Sequence, residues 1–323
     1  MGLFSYLHFM RDKAGVEEED GVECTLRRPM RLSMIYNPAA GRGRARRYIQ
    51  RAIAHLERRG ARVTLLASRS PSHLTDLAAT ASRDDSVDQV VVCGGDGTLN
   101  LAVREFALDH GTMGLLPLGS GNDFAIVLGI PRDPIAACDT LLDGVPRKVD
   151  VALANGLRYL GVAGLGFDSE VAAFANERVT ILRGPLVYLY AILRVLPRFV
   201  SHSVRLCVDG ECRDEEIMFA VVGNSSQYGG GIRITPAANV EDQELDLCVV
   251  GRTSRFQLLR TLPAAYGGKH LSSPFVSTGR GREFSFHSHN PLEVYADGER
   301  LTETPVTFGL ASQQLAIVAP RRS

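Results

Sequence analysis

The chain lacks an excess of charge of either sign, with 36 Lys and Arg against 36 Asp and Glu in 323 residues. A balanced chain has no overall field for nucleic acid, so any anionic partner has to be met by a local patch. Cysteine is sparse. Cys24, Cys93, Cys138, Cys207, Cys212 and Cys248 are scattered without a CxxC pair, which excludes a disulfide-stapled scaffold and predicts reduced, mostly buried thiols. A long apolar run is missing too. The richest segment, ILRGPLVYLYAILRVLPRFV at 181–200, carries Arg183, Arg194 and Arg198 and is broken by Pro185 and Pro197, so no transmembrane span is expected. The start, MGLFSYLHFMRDK, has no leading basic region and too short an apolar stretch for a secretory signal. Tyr6 stands where a myristoylation motif needs Ser or Thr. The expectation is a cytoplasmic protein. The common nucleotide signatures, GxxxxGK[ST], GxGxxG after a strand and the HRD/DFG pair, are also absent.

What is present centres on GGDGTLN at 94–100, directly after the apolar run Val90, Val91 and Val92. Glycines where a strand hands over to a helix make a phosphate-facing nest. Gly94, Gly95 and Gly97 can take positive φ and let the backbone approach a ligand closely, while Thr98 can cap a helix running through Leu99 to Leu108. Asp96 does not belong in a simple anion nest, because a bare carboxylate repels phosphate unless a cation lies between them. That points to a magnesium nucleotide. A lone GGDG is equally a surface turn, so its neighbours have to decide.

The length suits two domains. Residues 1–29 hold the acidic run EEED at 17–20 and few periodic apolar positions, and read as a poorly ordered extension. From residue 30 to 146, strand-like and helix-like segments alternate: RLSMIY, a helix over 44–59, VTLLA, a helix over 71–82, DQVVVC, the GGDGT helix, MGLLPL and DPIAACDTLLDG. This is a doubly wound, mostly parallel α/β pattern. Arginines cluster over 42–59, for most of which a solvated helix face is the plain reading. Residues 147–304 read as short strands between glycine turns, an antiparallel β domain interrupted by helices near 184–196 and 254–265. The last strand, QLAIVAP within 305–323, suits either domain.

Four further segments carry chemistry. YNPAAGRG at 36–43 puts Asn37 and glycines at the same strand edge as GGDG, and PLGSGNDFA at 117–125 adds Ser120, Asn122 and Asp123. YADGERL at 295–301 presents Asp297 and Glu299 on a hairpin turn. GGGIRITPAANVEDQELDL at 229–247 is rich in oxygen ligands, with Asp242 in a tight turn.

The ordered series NPAAGRG, Ser68, GGDGTLN, GSGNDFA, KVDVALANG, GLGFDSEV, GPLVYLYAI, PAANVEDQELDL and DGE resembles the diacylglycerol kinase catalytic family, in its bacterial soluble lipid kinase branch. The resemblance implies an ATP-binding α/β domain and an all-β antiparallel sandwich whose interior accepts lipid, with the active site between them. It implies ATP contacts at Asn37, Ser68, Gly95, Asp96, Gly97, Thr98 and Ser120. Glu299 would accept the proton of the lipid hydroxyl, with Asp297 and Asp150 as acidic neighbours. Asp242, with backbone oxygens of Asn239 and Glu244, would hold a structural magnesium. Two positions depart from the family pattern: Leu101 replaces a Glu, and Gln243 replaces the Gly of the magnesium turn. The implied activity is transfer of the ATP γ-phosphoryl group to a lipid hydroxyl, diacylglycerol giving phosphatidic acid, by a protein peripheral to the membrane. NAD kinase activity, or lipid binding without turnover, are the alternatives. An exposed strand edge would permit a homodimer.

Overall fold

A computed structural model describes residues 28–38, 44–178 and 185–322. All but the last two residues of the expected amino-terminal extension lie outside them. The strands are β1 (Arg31–Tyr36), β2 (Arg62–Ala67), β3 (Gln89–Gly94), β4 (Thr112–Pro117), β5 (Val145–Val149), β6 (Ala152–Ala154), β7 (Leu157–Tyr159), β8 (Val162–Gly166) and β9 (His202–Val208). They continue as β10 (Glu211–Gly223), β11 (Leu245–Gly251), β12 (Val276–Gly281), β13 (Phe284–Ser288), β14 (Glu293–Ala296), β15 (Glu299–Glu303), β16 (Val306–Leu310) and β17 (Leu315–Ala319). The helices are α1 (Arg44–Arg58), α2 (Pro71–Ser82), α3 (Asp96–Val103), α4 (Asp123–Val127), α5 (Pro134–Asp143), α6 (Phe167–Arg178), α7 (Pro185–Val195) and α8 (Arg255–Ala265).

The first sheet has the order β2-β1-β3-β4-β17-β5. Its centre is apolar without alternation, since every residue of β3 and β17 is buried, as strands covered on both faces require. Pairs α1/α5 and α2/α3 pack as the covering helices. Ser70 and Asp133 cap α2 and α5, each followed by a proline at the first helical position. Strand order reverses direction between β1 and β3, and ligands of open α/β sheets bind at the carboxyl ends beside such a switch point. The chain leaves β1 at Asn37 and β3 at the GGDGT loop there.

Long-range pairing sets two boundaries. Residues 147–149, the start of the expected β domain, instead belong to β5, which closes the first sheet by pairing antiparallel with β17. QLAIVAP returns to this sheet and lies between β4 and β5, while β16 stays in the second sheet. Such pairings across the whole chain leave no local signal.

The second sheet has 11 strands. β10 pairs with β9 through its first half and with β8 and β11 through its second, so one long strand serves both layers of a sandwich. Period-two alternation gives this sheet two apolar faces. Ala163, Leu165, Ala220, Val222, Leu247 and Val249 point inward to Phe284, Phe286 and Phe308. Val162, Phe219, Val221, Cys248 and Val250 point outward to α6, α7 and α8. Helix α6 has no counterpart in the expected element order. It follows β8 directly, through Gly166 at φ +85°, and carries Asp168 and Glu170 in its first turn.

Three hairpins use two-residue turns with both residues at positive φ: Asn155-Gly156, Asp209-Gly210 and Asp297-Gly298. Asn-Gly and Asp-Gly are what that turn demands. The turn between β9 and β10 sets Cys207 opposite Cys212, and the two form a disulfide. This corrects the expectation of reduced thiols for that pair. Cys93, Cys138 and Cys248 are free and buried, as expected.

Candidate active site

The loops after β3 and β4 meet backbone to backbone. A Cβ on Gly119 would stand 2.5 Å from the Gly95 Cα, and one on Gly94 would stand 2.5 Å from the Thr98 side chain. Close approach therefore explains these glycines. None of Gly94, Gly95 and Gly97 is among the positive-φ residues, so the freedom to take positive φ is not used here. Helix α3 also begins earlier than expected, at Asp96 with Gly95 as its uncapped N-cap, and ends at Val103. Thr98 is inside it. With no side-chain cap, the first-turn N–H groups of α3 can face an anion.

Asn122 braces this loop. It sits at φ +56°, its Oδ1 accepts from Gly119 N at 2.9 Å and its Nδ2 donates to Gly119 O at 2.9 Å. Its amide is engaged in holding the loop. Asp96 Oδ1 accepts from Phe124 N at 3.1 Å. Asp123 is buried, accepting from Gln227 Nε2 at 3.1 Å and from Gly230 N at 2.7 Å. Burial pushes its carboxyl up from the ordinary range. The Oδ2 atoms of Asp96 and Asp123 lie 3.1 and 3.3 Å from the same point, the position of a Cβ on Gly121.

The other side of the site comes from the Asp297-Gly298 turn. Asp297 accepts from Gly161 N at 3.0 Å and Val162 N at 2.9 Å. Burial nevertheless pushes its carboxyl up to about 7, and the charges of Asp96 and Asp123 add to that rise. Glu299 is exposed, and its Oε1 lies 3.6 Å from the position of a Cβ on Gly97. The carboxylate therefore stands over the first turn of α3. Asn100, inside GGDGTLN and fully buried, ties the two halves by donating to Ala296 O at 3.3 Å.

Asp96, Ser120, Asp123, Asp297 and Gly298 share one cavity of about 500 Å³ with Phe167, Val171, Ala175, Phe219, Val250, Leu258 and Phe275. The cavity lies between the outward sheet face and α6–α8, where those apolar residues cluster. This corrects the expectation that the sandwich interior accepts lipid. That interior is filled, with Phe286 and Phe308 rings 5.9 Å apart and Tyr159 and Phe308 rings 6.4 Å apart, each edge to face. Among the described residues, Arg132 is the one Arg or Lys lining the cavity.

Other expected residues stand apart. Asn37 and Ser68 lie at the carboxyl ends of β1 and β2, on the loop edge but away from the cavity lining, and Ser68 N donates to Tyr36 O at 2.9 Å. Asp150 is buried where the sheets join, accepting from Gln314 Nε2 and Gln243 N at 2.8 Å each. It clasps two loops instead of supporting Glu299. The expected magnesium turn does adopt its shape, with Gln243 at φ +59°. The carboxylates of this turn are engaged by a guanidinium. Arg280 pairs with Asp242 and, at 2.7 Å, with Glu244, while Asn239 Oδ1 accepts from Glu241 N. That guanidinium places a positive charge beside both carboxylates.

Sequence reasoning missed Asn100, Arg132, Gln227, Tyr228 and Asp168 as site residues. The available signals were GFDSEV and the triple glycine after Tyr228, with φ of 62°, 84° and 108°.

Glycine loops at a sheet edge thus stand beside a carboxylate-bearing hairpin and an apolar cavity. Residues 31–154 match the description diacylglycerol kinase catalytic domain, and residues 161–319 match YegS C-terminal NAD kinase beta sandwich-like domain. A diacylglycerol kinase of Mycobacterium tuberculosis is 34% identical over 305 residues, spanning 90% of this chain and 96% of the relative. One of Bacillus subtilis is 27% identical, spanning 90% and 97%. A crystal structure from Bacillus anthracis superposes with a TM-score of 0.77 at 25% identity over 90% of this chain and 96% of that one. The chain belongs to the diacylglycerol kinase family and is a lipid kinase. Among the described residues, no helix is long and apolar enough to cross a membrane.

Proposed function

We propose that the protein transfers the γ-phosphoryl group of ATP to the hydroxyl of a lipid, with diacylglycerol, giving phosphatidic acid, as the first acceptor to test. The observation that carries this reading is an apolar cavity of about 500 Å³ that opens onto Asp96, Asp123 and Asp297. The α3 amino terminus and the Gly95–Gly119 loops receive the phosphates, and Arg132 is the cavity-lining guanidinium for charge on the transferred group. Asp96 and Asp123 are neighbouring carboxylates beside Gly121 that repel each other without a cation, so they would be the residues to hold a magnesium ion. Bound there, it would neutralise charge on the phosphates. The lipid oxygen forms the new bond to phosphorus as the bond to ADP breaks, and Glu299 takes the hydroxyl proton. Asp297, held by two amides, positions the turn that carries Glu299.

Exposed Leu189, Tyr190 and Leu193 on α7 and Phe256 on α8 accompany Arg194, Arg255 and Arg260. Residues 185–200 and 252–275 contain no Asp or Glu. Both helices wall the cavity, so this surface suits contact with an anionic membrane from which the lipid enters.

NAD phosphorylation is the second reading, favoured by the family description of residues 161–319. Labelled ATP and magnesium, presented with diacylglycerol, phosphatidylglycerol, a sphingoid base, a polyprenol and NAD, separate the two. The expected result is a phosphorylated lipid identified by mass. Phosphorylated NAD with every lipid unchanged overturns the reading.

A further inference from the structure

A chamber built only for acyl chains has no need of a carboxyl group, yet this one contains Asp168. Its Oδ1 accepts the Tyr228 hydroxyl hydrogen, and both residues line the cavity. Burial pushes the Asp168 carboxyl up to about 6. Retaining such a group among Phe167, Val171, Phe219 and Ile232 costs stability. The plain alternative is an acidic residue favouring the amino terminus of α6, but a solvated side chain there would serve that purpose without entering the cavity.

The position is built on both sides. The Asp168 carboxyl occupies the space that a side chain on Gly164 of β8 would fill, so glycine at 164 is what lets it lie against the strand. Tyr228 belongs to the loop whose Gln227 and Gly230 hold Asp123. One loop thus joins the nucleotide side of the site to the Asp168 side. Along β8, Gly161 and Val162 hold Asp297, and Gly164 is two residues beyond Val162, roughly 7 Å at the usual strand rise. A polar group of the acceptor a few bonds from its reacting hydroxyl falls within this span.

We propose that Asp168 and Tyr228 form a polar subsite that binds a second polar group of the acceptor lipid, an ester, amine or second hydroxyl beside the hydroxyl to be phosphorylated. The subsite rests on the lipid-kinase reading above and selects lipids with a polar backbone over single-headed long-chain alcohols.

The test is displacement of a fluorescent long-chain alcohol from the full chain by dioleoylglycerol, sphingosine or oleyl alcohol, with lipid phosphorylation followed in parallel. The wild type is expected to prefer dioleoylglycerol or sphingosine over oleyl alcohol by about tenfold or more, as a hydrogen bond to an ionisable group allows. Asp168→Asn and Tyr228→Phe should remove most of that preference and leave oleyl alcohol displacement unchanged. Gly164→Ala should do the same by pushing the carboxyl aside without deleting it. Which of the two preferred lipids loses more identifies the group that is read. No preference in the wild type, unaltered preference in all three variants, or equal weakening for all lipids overturns the subsite. Absence of lipid phosphorylation with the displacement pattern intact removes the kinase reading and leaves the subsite standing.

Discussion

Glu299→Gln is expected to lower lipid phosphorylation by about 10²- to 10⁴-fold, the range typical for loss of a positioned general base. Glu299 is exposed and stands over the first turn of α3, its Oε1 3.6 Å from the position of a Cβ on Gly97. Gln keeps its size and can still hydrogen-bond, but it cannot take a proton at neutral pH. The loss should therefore fall on kcat, with ATP affinity and melting temperature close to wild type. Turnover within about threefold of wild type would remove Glu299 as the proton acceptor. The neighbouring Asp297, with its carboxyl pushed up to about 7, would then be the group to examine.

Gly119→Ala is the second large effect, and it acts on the donor half. The added methyl would meet the Gly95 Cα at 2.5 Å and the Asn122 Oδ1 at 2.8 Å. Neither can yield easily. Gly95 is backbone at the N-cap of α3, and Asn122 is fixed by its two bonds to Gly119 itself. Overpacking of this kind costs about 1–3 kcal/mol, and here it separates the two loops that face the phosphates. ATP affinity should fall by at least about tenfold, the equivalent of 1.4 kcal/mol, while the sandwich core around Phe284 and Phe308 is untouched. Calorimetric titration with ATP measures it, and wild-type affinity in a folded variant would contradict the loop packing.

These two sites were readable from the chain because their chemistry is local. Asp-Gly at 297–298 dictates a turn with both residues at positive φ, and buried apolar runs followed by glycine loops dictate strand ends at one sheet edge. What could not be read depends on distant pairing. Arg280 reaches Asp242 because β11 and β12 pair with Asp246 opposite Arg280, a register with no trace near residue 242. Asp150 stands in a KVDV motif that looks catalytic, and only the fold shows its oxygens engaged by Gln243 and Gln314. The side of the sheet bearing the cavity was hidden for another reason. β8, β10 and β11 are apolar on both faces, so their pattern does not say which face is packed by phenylalanines and which is left open beneath helices.

That choice of face is the central claim, and photolabelling tests it most directly. A diacylglycerol carrying a photoreactive group midway along an acyl chain, crosslinked to the protein and mapped by peptide mass, should mark the peptides of α6, α7 and α8 together with Phe219 or Val250. Labels on Phe284, Phe286 or Phe308 would place the lipid inside the sandwich and contradict it.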